Sequence, residues 1–103
     1  MTITNVRSGY VENLRGGRNV VVEIYKADDI YVITTNCSWI SDSGNYDLED
    51  DIRNSLLGHN SDMARDQITW ESDSAAFMAS ATELVVVIYL AGYIEGHLRR
   101  MYG

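Results

Sequence analysis

In this 103-residue chain Cys37, His59 and His97 are the side chains to weigh as a nucleophile and its bases. They stand far apart in sequence and none sits in a P-loop, dinucleotide fingerprint, nucleophile elbow or metalloprotease helix. A cysteine beside a strand end is a small buried residue in most folds, and isolated histidines mostly occupy surfaces or helix ends. The expectation is therefore no catalytic residue. No Cys/His cluster has zinc spacing. The stretch Asp42-Ser-Gly-Asn-Tyr-Asp47 resembles a calcium loop superficially, but Asp42, Gly44 and Tyr46 do not reproduce the alternation of oxygen ligands. No metal and no cofactor are expected.

A second candidate is the run Arg15-Gly16-Gly17-Arg18. Two glycines between arginines can aim backbone N–H groups and guanidinium forks at a phosphate or carboxylate. A tight hairpin turn uses the same glycines for positive φ alone. A small-molecule or anion-binding protein, or a small enzyme built on this turn, is the alternative functional reading.

The third candidate is charge. The acids and bases of residues 1–40 balance, as do those of 74–103. Between them Asp42, Asp47, Glu49, Asp50, Asp51, Asp62, Asp66, Glu71 and Asp73 face only Arg53 and Arg65, so the whole net charge of −7 falls in the middle third. Such a concentration repels nucleic acid and anionic membrane and steers a basic partner toward the segment. It also serves plain solubility. Trp39, Tyr46 and Trp70 bracket the acids, and aromatic rings among carboxylates suit the gripping of Arg and Lys side chains, although tryptophans also fill cores.

These residues need a scaffold. A chain of this length makes about one domain, here residues 1–103. Strands are expected in "TITNV" and "YVENL", interrupted at Ser8-Gly9, and then in a hairpin of Asn19–Tyr25 and Ile30–Asn36 around the turn "KADD". Pairing Tyr25 with Ile30 puts Val20, Val22, Ile24, Tyr31 and Ile33 on one apolar face, the core side. The opposite face, with Val21, Glu23, Tyr25, Ile30, Val32 and Thr34, is also mostly apolar, which invites a cover.

Asp47 is placed to cap a short acidic helix, with Asp50 three residues on. Glu49, Asp50 and Asp51 crowd its first turn, where each gains about 0.3 to 1 kcal/mol from the helix dipole. Leu48, Ile52 and Leu56 form its buried stripe, and Gly58 is a stop with His59 at the favourable end. Leu57 falls on the outer face near Asp50, Arg53 and Asn54, as a contact residue or folded under the following loop. "QITW" reads as a short strand. Ser74 to Met101 lacks a strong breaker and reads as one long helix capped by Ser72 or Asp73, with "LVVVIYL" the part most open to a strand reading. Its length and its apolar centre suit a membrane span, but Glu83 near the middle costs about 2.5 to 3.5 kcal/mol on insertion. A helix covered on two sides fits better.

The fold expected is α+β: an antiparallel sheet of three to four strands, a short acidic helix, and a long C-terminal helix packed on the sheet. The function expected is a small acidic, non-enzymatic inhibitor or binding protein that occupies a basic, nucleic-acid-handling site on a protein partner. Asp47, Glu49, Asp50, Asp51, Asn54, Leu57, Asp62 and Asp66 are its partner-binding residues. Phage anti-defence proteins of anti-CRISPR and DNA-mimic types, and toxin-immunity proteins, share this profile as a class and not by motif. Direct binding of nucleic acid or membrane is not expected. The second apolar hairpin face and the apolar helix centre suggest a homodimer. With one cysteine and no cationic, apolar leader, the cytoplasm of a bacterial cell or phage host is the expected location.

Overall fold

The computed structural model describes residues 2–38, 47–71 and 76–103. Five strands form one antiparallel sheet: β1 (Ile3–Leu14), β2 (Arg18–Ala27), β3 (Ile30–Thr35), β4 (Thr69–Trp70) and β5 (Met78–Ala81), in the order β1-β2-β3-β5-β4. Two helices complete the fold, α1 (Leu48–His59) and α2 (Leu84–Tyr102). The mixed α+β class expected from the sequence is found, with the short acidic helix and the long C-terminal helix in place.

The β-branched run of β2 and β3 builds the centre of the sheet. Ile24 pairs with Ile33 and Lys26 with Tyr31, and the chain reverses at Asp28-Asp29, where Asp28 adopts φ 53°. This register differs by two residues from the expected pairing of Tyr25 with Ile30. A slip of two leaves every side chain on its expected face, and Val20, Val22, Ile24 and Ile33 are all fully buried. The two short N-terminal strands expected on either side of Ser8-Gly9 are instead one twelve-residue strand. Its pairing with β2 is irregular between Val11 and Leu14 and also at Val6, an extra residue between Asn5, paired with Tyr25, and Arg7, paired with Ile24. This bulge turns Arg7 and Gly9 to the core side.

Arg15-Gly16-Gly17 forms a single tight turn between β1 and β2, with Gly16 at φ 79° and Gly17 at φ 75°. Only glycine adopts this left-handed region without penalty. Arg15 Nη2 donates to the carbonyl of Met101 at 3.3 Å, satisfying an end carbonyl of α2 and complementing its dipole.

The expectation of one helix from Ser74 to Met101 is overturned. Phe77, Ala79 and Ala81 are buried while Met78 is exposed, the alternation of a strand, and β5 pairs with β3 from Thr34–Met78 to Tyr31–Ala81. Tertiary pairing decides this segment, because Met, Ala and Ser carry little strand preference of their own. Glu83 is extended at φ −113°, ψ 132°, and α2 begins at Leu84. The caps expected at Ser72 or Asp73 lie outside the described residues. "LVVVIYL" is helical. Val86, Val87, Leu90, Ala91, Ile94 and Leu98 are buried, and they join one cluster with the sheet and with Leu48, Ile52 and Leu56 of α1. Full burial of such side chains contributes about 1.5 to 3 kcal/mol each. The sheet and α1 thus cover one side of the apolar helix, while Val85, Ile88 and Tyr89 remain exposed on the other. No helix among the described residues is long and apolar enough to cross a membrane.

Candidate binding surface

Asp47 caps α1 as its residue type requires: its Oδ1 accepts from the Glu49 N–H at 2.9 Å. Gly58 does not stop the helix, which runs on until the Asn60 N–H bonds the Leu56 carbonyl at 2.7 Å. The Asn60 side chain then accepts from the Met63 N–H at 3.2 Å, and a π-helical turn, Met63–Gln67, leads into β4.

The acids of this segment separate into two groups. Asp47 is the cap. Asp51 lies against α2, where His97 Nε2 donates to its Oδ2 at 2.7 Å and the Tyr102 hydroxyl donates to the same oxygen at 3.1 Å. Glu49 is buried, with Oε1 lacking a partner, and burial followed by the nearby Asp47 charge pushes its carboxyl above the usual range. Asp50, Asp62 and Asp66 form the second group. All three are exposed and make no hydrogen bond or ion pair among the described residues. Asn54 is exposed beside Asp50 on the same helix face, while Leu57 is half-buried and packs against the core.

The structure adds a carboxylate that sequence order had set apart. A concavity of about 270 Å³ at the end of the sheet is lined by Asp66, Gln67, Ser80, Thr82 and Glu83 over Ile30 and Val86. The pairing of Tyr31 with Ala81 places the β2–β3 turn, with Asp28 and Asp29, beside the junction of β5 and α2. Acids from three parts of the chain therefore gather at this end.

Beside the acids, Arg53 of α1 and Arg65 of the π-helical turn line a groove of about 450 Å³ with Leu57, Ile68 and Trp70. The indole N–H of Trp70 donates to the Ala64 carbonyl at 2.9 Å, and its ring meets Phe77 edge-on. Trp39, Asp42, Tyr46 and Asp73 lie outside the described residues.

Reading the sequence missed the polar seam between the helices. Asp51, Ser55 and His59 recur every fourth residue on α1, as do Tyr89, Tyr93 and His97 on α2, and that spacing is the signal. Ser55 and Tyr93 share a hydrogen bond between their hydroxyls, Tyr93 stacks on His97, and His59 meets Tyr93 edge-on at 5.7 Å. His97 is 6% exposed, so the pair with Asp51 joins two helices rather than facing a substrate. Cys37 is half-buried, and burial pushes its thiol up, away from the reactive thiolate. Among the described residues no group of three or more His, Cys, Asp or Glu can hold a metal ion. Gly16 and Gly17 serve the turn and Arg15 serves the end of α2; Arg18 continues into β2. No known protein family, curated protein or solved structure matches this chain.

Proposed function

We propose that the protein is a non-enzymatic inhibitor or binding protein whose acidic surface occupies a basic site on a protein partner. The observation that carries this reading is the division of the acids: Asp47 and Asp51 have structural partners, whereas Asp50, Asp62 and Asp66 remain exposed and unpaired among the described residues. Unpaired like charges repel one another and, apart from the small dipole contribution of Asp50 in the first turn of α1, add little to the fold, but they accelerate encounter with a basic surface. Asn54 beside them adds neutral hydrogen-bonding capacity, and Asp66 links the face of α1 to the concavity containing Glu83.

A partner that handles nucleic acid presents the complementary surface, so the class is phage anti-defence, of anti-CRISPR or DNA-mimic type, or toxin immunity. The single cysteine, carrying a free thiol, fits the reducing cytoplasm of a bacterial cell or phage host. The chain acts as a homodimer through the outer face of its sheet, where Tyr10 is 62% and Met78 37% exposed beside half-buried Val21, Tyr25 and Val32. Capture on the immobilised full chain from a lysate of the native host tests the reading. A basic protein released by moderate salt supports it, and a retained metabolite without a protein opposes it.

A further inference from the structure

Arg53 and Arg65 are the two cations of the acidic third, and they come from different elements to line the same groove. Neither guanidinium has a hydrogen bond or ion pair with a described residue. Glu49 lies one turn from Arg53 on α1, and Arg53 favours its ionised form. Burial opposes that ionisation and leaves Oε1 without a partner, so Glu49 does not occupy the guanidinium. Trp70 supplies a wall whose orientation is already set by its bond to Ala64 and its edge contact with Phe77, and Leu57 and Ile68 add apolar surface.

We propose that this groove binds a small organic anion, a carboxylate or phosphate monoester carried on a planar apolar body. The volume of about 450 Å³ lies within the range of small-ligand sites, roughly 300 to 1,000 Å³. Guanidinium forks match the paired oxygens of either head group, and the fixed indole offers a face or edge to a ring at little entropic cost. The surrounding carboxylates set the limit on charge. Glu49 and Asp50, one turn from Arg53, and Asp66, next to Arg65, lie within a Debye length of about 8 Å and oppose any anion, so only a singly or doubly charged head in direct contact with both arginines is favoured. A polyanion extending past the groove meets Asp50 and Asp66, so nucleic acid is excluded. This site is independent of a basic protein partner and stands or falls separately from it.

The test is titration of the full chain with phenyl phosphate and with benzoate, followed by the NMR signals of the Trp70 indole N–H and the Leu57 and Ile68 amides. Saturable shifts with either probe, at a Kd on the order of 1 mM or below, are expected. Benzyl alcohol and inorganic phosphate, each lacking half of the recognised chemistry, should bind about tenfold more weakly. In Arg53→Gln/Arg65→Gln affinity should fall by about fivefold or more, with Arg53→Lys/Arg65→Lys intermediate, because lysine keeps the charge and loses the fork. Both arginines are exposed, and an otherwise unchanged spectrum establishes that the variants fold. Absence of saturable shifts, equal binding of benzyl alcohol, or undiminished affinity in the Gln variant would overturn the proposal.

Discussion

His97 of α2 and Asp51 of α1 lie 2.7 Å apart, with side-chain exposures of only 8% and 12%. Tyr102 donates to the same carboxylate oxygen. Replacing Asp51 by Ala leaves a buried imidazole and a tyrosine hydroxyl without this acceptor, at a cost of about 2 to 4 kcal/mol. Asp50→Ala, one position earlier but exposed, should cost at most about 1 kcal/mol. Urea unfolding of the two variants checks the contrast, and equal costs would contradict the structural role of Asp51.

Arg7 and Glu95 make a second cross-element pair, at 2.8 Å between β1 and α2. Gly9 is what admits it: a Cβ there would collide with Glu95 Oε2. Gly9→Ala should displace the Glu95 carboxylate and so break the same pair that Arg7→Gln removes. Each single variant should lose about 1 to 3 kcal/mol, and the double variant well under the two losses combined. A double-mutant cycle by chemical denaturation checks this, and additive losses would contradict it.

Glu49 gives a pH signature of definite sign. Burial and the Asp47 charge raise its carboxyl in the folded state, so the folded chain holds that proton more tightly than the unfolded chain. Its contribution is fully favourable below the ordinary glutamate range and is lost as pH rises through the raised folded value. Glu49→Gln should therefore stabilise the protein at pH 7, with the gain shrinking as pH falls toward the ordinary glutamate range. Thermal midpoints across that interval check it.

Side-chain alternation in β2 and β3 and the fourfold stripe of Leu48, Ile52 and Leu56 made the sheet centre and α1 legible, because both follow from local periodicity. The strand β5 was illegible for the opposite reason. "MASA" has no strand preference of its own, and its partner β3 lies more than forty residues away. The site was half legible. Charge density located the acidic segment, but composition alone could not divide exposed Asp50 from Asp51, whose role depends on a histidine 46 positions later. Nor did chain order show that Arg53 and Arg65 converge at Trp70.

The outer sheet face carries the expectation of a homodimer. Tyr10, Val21, Tyr25 and Met78 lie on that face, and the hydroxyls of Tyr25 and Ser8 both donate to Glu23 within it. Light scattering at high micromolar concentration should give the dimer mass. Tyr10→Arg, at an exposed position, should shift it to the monomer without loss of helix or sheet signal. A monomeric wild type would contradict the expectation.

The most direct measurement concerns Asp50, Asp62 and Asp66 themselves. Asn at all three positions removes charge while keeping shape, and these exposed groups have no described partner to lose. Association of the captured protein partner with wild type and with the triple variant is then followed across ionic strength. The acidic-surface reading requires slower association and a flatter salt dependence for the folded variant. Identical rates and identical salt slopes would contradict it and assign these carboxylates to solubility and, for Asp50, to the helix dipole.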